Sequence, residues 1–133
     1  MLPGSADKAA TARSDTLARM SRHHAVDFFE IPVTEMAGAK AFFAAAFGWS
    51  YRDYGSDYAD IHGAGLSGGL RLVEQPPPRG GALVILYSDD LEVSERAVTA
   101  AGGTIIARHE FPGGRRFHFV APGGCELAVW TAV

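Results

Sequence analysis

Three residues combine reactive chemistry with an apolar, strand-like setting. Glu30 lies within Val26–Val33 (VDFFEIPV), His118 stands between Phe117 and Phe119, and Glu126 opens the run Glu126–Trp130. A carboxylate among apolar neighbours can act as a base near neutral pH, and a glutamate beside a protonated histidine can orient a ligand. The same residue types also supply donors for a divalent cation. Each has a plainer reading. Glu30 and Glu126 can be solvated or ion-paired at strand ends, Glu30 with Arg71 or Arg116, and His118 can be a satisfied histidine of the interior.

The other reactive residues carry weaker signals. His62 sits in the glycine-rich stretch Ile61–Gly65, and His109 and Glu110 precede Phe111-Pro-Gly-Gly114, which reads as a lid-like loop. Arg115 and Arg116 follow it, and adjacent arginines either meet an anionic ligand or form salt bridges. His23 and His24 read as exposed. Cys125 becomes a nucleophile only if a neighbour activates it, and no base stands beside it in sequence. Gly63-Ala-Gly65 and Gly68-Gly69 are not phosphate loops, because neither leads from a strand into a helix.

The elements that must position these residues follow from spacing. Val26–Val33 is rich in β-branched and aromatic residues and predicts a strand. Thr34 is placed to cap a helix, Glu35 favours its positive end, and Gly48 stops it. Met36, Ala39, Phe43, Ala46 and Phe47 make one apolar stripe between them. Trp49–Asp53, Tyr58–Ile61 and Gly69–Val73 then predict three short strands. Gln75–Gly81, with its consecutive prolines, is a linker. The order then repeats: strand Leu83–Tyr87, a helix begun by Asp89/Asp90 and ended by Gly102-Gly103, and strands Thr104–Arg108, Arg116–Val120 and Glu126–Trp130. Leu91, Ala97, Val98 and Ala101 form the second helix's buried side.

Sliding the chain on itself by 55 residues sets Met36 on Leu91, Phe43 on Val98, Ala46 on Ala101 and Gly48 on Gly103. The predicted fold is therefore α+β, two βαβββ modules: residues 23–75 and 82–133, joined by the linker 75–81. The composition suits it. The chain has 133 residues, 47% hydrophobic and 20% charged, enough for one ordinary core. A net charge of −3 gives no basic footprint for nucleic acid or anionic membranes. No apolar run approaches the roughly 20 residues of a membrane span. A single cysteine permits no internal disulfide, so the expected home is the reducing cytoplasm. Residues 1–22 read as an appended tail without assigned chemistry.

Phe29-Glu-Ile-Pro-Val-Thr-Glu-Met36, Ala39-Lys-Ala-Phe-Phe43, Phe47-Gly-Trp49, Ser88-Asp-Asp-Leu91, Ala100-Ala-Gly-Gly103 and Pro122-Gly-Gly-Cys-Glu-Leu127 together resemble the vicinal-oxygen-chelate superfamily, in particular its glyoxalase/bleomycin-resistance-like members. The resemblance spans Ala25–Trp130. It implies modules that curl into a mixed-sheet cup with the helices outside, a small-molecule ligand in the cup, and a homodimer. In the superfamily's enzymes a divalent metal in the cup chelates two substrate oxygens. Counting onto the matching positions gives Phe28, Leu83 and Ala128, with Val73 as the loosely aligned fourth and Glu74 one position from it. None of the four carries a donor atom, so no cofactor is expected and a divalent metal is the minor alternative. Ala121 also departs from the family's aspartate, and Cys125 from its usual Asn, His or Tyr.

Strand alternation then fills the implied cup. Phe28, Glu30 and Pro32 share a side, as do Leu83, Ile85 and Tyr87, and Glu126, Ala128 and Trp130. His118 takes the place of the active-site tyrosine of fosfomycin-resistance enzymes, and His62 is set at the cup mouth. The implied function is binding of a small, partly apolar molecule without the family metal. The alternative is a glyoxalase-type lyase or isomerase, with Glu30 or Glu126 as base and His118 orienting substrate.

Overall fold

A computed structural model describes residues 22–133; apart from Arg22, the predicted N-terminal tail lies outside the described residues. The chain runs β1 Phe28–Val33, α1 Met36–Phe47, β2 Ser50–Asp53, β3 Tyr58–His62, β4 Ser67–Leu72, β5 Val84–Tyr87, α2 Leu91–Ala101, β6 Thr104–Phe111, β7 Gly114–Val120 and β8 Glu126–Ala132. Two four-stranded sheets result, ordered β1-β4-β3-β2 and β5-β8-β7-β6. In each, the strand before the helix pairs in parallel with the last strand, and the remaining pairs are antiparallel. This is the expected pair of βαβββ modules.

Local chemistry explains the helix ends. Glu35, not Thr34, caps α1: its carboxylate accepts from Gly38 N at 3.0 and 3.1 Å. The longer side chain turns back over the first turn because residue 38 has no Cβ in its way. Asp90 caps α2 by accepting from Val93 N at 3.2 Å. Gly48 and Gly102 end the two helices in the left-handed conformation. The second helix is thus one residue shorter than the 55-residue shift implies.

Both helices cover the same core. Phe42, absent from the predicted stripe, is buried and reaches Phe119 of the other module at 5.9 Å between ring centroids, as does Phe47. Phe43 stacks on Trp49 at 4.9 Å, and Phe117 and Phe119 are fully buried. Ile31, Val33, Leu70, Leu127 and Val129 complete this core from the strands. The modules therefore meet where α1 packs on α2 and where Phe42 and Phe47 touch Phe119, while no strand of one sheet pairs with the other.

Alternation along each strand sends the remaining side chains to the opposite, open face. In β1 this face carries Phe28, Glu30 and Pro32; in β5 it carries Ile85 and Tyr87. The predicted lid-like loop at Phe111–Gly114 is instead a tight hairpin, with Phe111 paired to Gly114. Pro112 and Gly113 (φ 94°) are the two linking residues, and proline then glycine with positive φ suits such a turn. Among the described residues no helix is long and apolar enough to cross a membrane.

If one aromatic core joins the modules, Phe42→Ala removes contacts on both sides of it. Urea unfolding is expected to show a loss of about 3–5 kcal/mol. A loss below about 1 kcal/mol, the range of tolerated core swaps, would mean that the helices do not share that core.

Candidate functional site

The open face of the second sheet holds the most reactive arrangement. Phe117 and Phe119 point into the core, so the intervening His118 points the other way, as does Arg116. Register sets Ile85, Ala128, His118 and Ala107 side by side in one row across the sheet, and Tyr87, Trp130, Arg116 and His109 in the next. Glu126 is diagonal to His118 and meets it: His118 Nδ1 lies 2.8 Å from Glu126 Oε2. Their side chains are 10% and 20% exposed. A carboxylate oxygen that accepts here puts a hydrogen on Nδ1, and Nε2 is then a lone pair in a neutral ring or a second donor in a protonated one. That Nε2 is buried and has no hydrogen-bond partner.

The neighbours are aromatic and small. Tyr87 meets Trp130 edge-on at 5.1 Å, Phe111 lies 6.3 Å from Trp130, and the ring of His109 stands against that of His118 at 5.2 Å. Ala107 and Ala128 keep the His118 row low. Arg116, half-buried between Trp130 and His109, has a buried Nε that is likewise unpartnered. The neighbouring arginines point the other way, toward α2: Arg108 binds Glu95 at 2.6 and 2.9 Å, and Arg115 binds Glu92 at 2.6 and 3.3 Å.

Glu30 belongs to a different cluster. Tyr58 Oη donates to Glu30 Oε2 at 2.9 Å, and Arg71 Nε lies 3.5 Å from Glu30 Oε1. The tyrosine crosses β4 to do this, and a Cβ at the intervening Gly69 would overlap its phenol. Burial, then the bond to Glu30, pushes Tyr58 up to about 12. The structure therefore brings His118 and Glu126 together and holds Glu30 apart in the first module. Glu30 and Glu126 do line one depression of about 290 Å³, alongside Leu83 and the linker prolines. A second depression, about 790 Å³, runs along β5 and is lined by Phe29, Trp49, Leu83, Ile85 and Tyr87.

Of the other expected ligand residues, Phe28 is exposed on the open face of β1, Ala128 is buried, and Trp130 is half-buried. His62 is exposed and closes β3 instead of sitting in the following turn. Burial pushes the Cys125 thiol up, as does the charge of Glu126, which counts against nucleophilic use.

Sequence reasoning set His109 beside a loop and not on this face, and it missed Tyr58 and Gly69. A bulge between Ile105 and Ala107 reverses the alternation of β6, so a strict two-residue period ends that strand early and hides His109. Tyr58 shares its parity with Asp60 and His62, but only the sheet register reveals its reach across Gly69. Register also corrects one family position. Glu30 faces Gly69 as Ile85 faces Ala128, so the first-module counterpart of Ala128 is Gly69, not Val73.

No family model and no curated protein sequence matches the chain. Solved structures do. The chain is similar to a glyoxalase/bleomycin resistance protein/dioxygenase family enzyme from Burkholderia phytofirmans, with TM-score 0.69, 15% identity, and coverage of 81% of this chain and 100% of that one. It is similar to lactoylglutathione lyase from Agrobacterium tumefaciens, with TM-score 0.64, 18% identity, and coverage of 81% and 93%. The fosfomycin resistance protein FosX from Listeria monocytogenes aligns at TM-score 0.70 and 14% identity over 81% and 93% of the two chains. The fold is that of the vicinal-oxygen-chelate superfamily. Its metal does not fit the side chains present at the matching positions: Phe28, Gly69, Leu83 and Ala128 offer no donor. Among the described residues no three His, Cys, Asp or Glu side chains gather as ligands, and Glu30, His118 and Glu126 form no such trio.

Tyr58 gives a direct check of the first-module cluster. Its raised value means that its contribution to stability is complete below about pH 10 and is lost as pH rises through about 12. In Gly69→Ala the phenol must leave Glu30, and its titration, followed by phenolate absorbance, should fall toward the ordinary value near 10. An unchanged titration would show that the phenol does not cross residue 69.

Proposed function

We propose that the chain binds a small, partly apolar organic molecule on the open face of its second sheet, working without the divalent metal of its fold relatives. The observation that carries this reading is the His118–Glu126 pair set among Ile85, Tyr87, Ala128 and Trp130, with Nε2 buried and unpartnered. An apolar surface with a few convergent polar groups is the usual make-up of a ligand site. A buried nitrogen without a partner costs free energy that a ligand donor would recover.

The homodimer implied by the resemblance belongs to the same proposal. Phe28, Ile85, Tyr87 and Phe111 are large apolar residues exposed on open faces, and a second copy would cover them while closing the cup. The lone Cys125 suits a cytoplasmic setting.

A second reading, a glyoxalase-type lyase or isomerase, is favoured by the same Nε2. Here the base is His118, with Glu126 holding its tautomer, an exchange of the roles expected from sequence. Proton removal from an acidic carbon or hydroxyl would pass to Nε2, and Glu126 would stabilise the resulting imidazolium.

Ligand at one hundred times its Kd should stabilise the protein by about 2.7 kcal/mol in thermal unfolding, and His118→Asn should abolish the effect while retaining the fold. Turnover that drops by about 10²–10⁴ in His118→Gln selects the catalytic reading instead. Metal content is the separate check: protein purified without chelator should carry well under one equivalent of Ni, Zn, Mn or Fe. A full equivalent bound to the open face would overturn the metal-free reading.

A further inference from the structure

We infer that the ligand of this face is an aromatic carboxylate, with Arg116 holding the anion and Trp130, Tyr87 and Phe111 receiving the ring. This rests on the proposed ligand site and names its ligand class. The starting point is a contrast within one strand. Arg115 and Arg116 are neighbours, yet alternation sends Arg115 to Glu92 and leaves Arg116 on the open face. Among the described residues no carboxylate lies within salt-bridge distance of Arg116, and Glu126, one row beyond His118, is engaged by that histidine. Its Nε is buried without an acceptor.

A guanidinium Nε–H that has lost water and gained no acceptor is destabilising until an oxygen reaches it. Its planar fork fits a carboxylate through two parallel N–H bonds. The available charge also sets the ligand's charge. This face offers Arg116 against Glu126, with His109 and His118 able to add charge only when protonated, which suits a monoanion better than a phosphate dianion.

The rings say what the anion is attached to. Trp130 lies directly across the strand pair from Arg116, so their Cβ atoms are about 4.5–5.5 Å apart. A carboxylate held by the Arg116 side chain therefore has the Trp130 side chain as its cross-strand neighbour, within reach of a substituent one or two atoms away. Tyr87 meets that indole edge-on, and Phe111 flanks it where Gly114 leaves room for its ring. Tyr87 and Phe111 are 55% and 37% exposed, leaving apolar surface for a further ring to cover. His118 is two residues along β7 from Arg116, about 6.6–6.8 Å, so its Nε2 is in range of a hydroxyl or acidic C–H near the carboxylate.

Calorimetric titration of the full chain with phenylacetate and with its neutral isostere phenylacetamide tests this. Phenylacetate should bind at least about tenfold more tightly than the amide. Arg116→Gln should reduce phenylacetate to the amide's level and leave the amide unchanged, and Arg116→Lys should fall between. Equal affinities for the two probes, no binding of either, or equal loss of both in a folded Arg116→Gln would each overturn the inference. The imidazole ¹⁵N signals of His118 separate this from the parent reading. If both probes shift them without preference for the anion, the site stands and the carboxylate class falls. If phenylacetate binds through Arg116 while His118 is unmoved, the anion anchor stands and the His118-centred site falls.

Discussion

The parity of one strand governs most of this molecule. Phe117 and Phe119 enter a core covered by both helices, and Phe119 touches Phe42 and Phe47 of the other module. With those two residues committed to the interior, the pleat leaves Arg116 and His118 no choice of side. A slip of one residue would bury a guanidinium and expose two phenylalanines. The burial of apolar rings, worth roughly 1.5–3 kcal/mol each, thus holds the reactive groups in place without contacting them on the open face.

The two modules use the same framework for different ends. In the first, Glu30 accepts from Tyr58 and lies beside Arg71. That cluster is largely satisfied, and the absence of a side chain at Gly69 is what allows it. In the second, Ala128 stands at the equivalent place, low enough to leave space but without a ring laid across it, and the polar groups beside it are only half satisfied. Glu126 serves one nitrogen of His118, while the other nitrogen and Arg116 Nε lack partners. Natural structures tolerate few such atoms, and each calls for a structural or functional reason. The asymmetry between the modules is therefore informative: the first has its hydrogen bonds internally closed, and the second leaves them open.

Much of the fold was legible in the chain itself. The helical stripe from Met36 to Phe47, the glycines at 48 and 102, the prolines of the linker and the 55-residue echo reflect local conformational preference, which acts at short range and so leaves its mark in sequence. The absence of donor atoms at Phe28, Leu83 and Ala128 was also readable, since it depends only on residue type. So was the choice of Glu30, His118 and Glu126 as the polar minority among apolar strands.

Which of these three meet was a tertiary matter. The register of β7 on β8 brings Glu126 to His118, whereas the register of β3 on β4, with a glycine at 69, gives Glu30 to Tyr58. The bulge in β6 that turns His109 toward His118 breaks the very period from which faces are read. Sequence thus determined which elements form, which strand side chains are polar and which positions lack a donor atom. Only the folded chain decided the pairings, because strand register and bulges are set by cross-strand contacts between residues far apart in sequence, which no local pattern records.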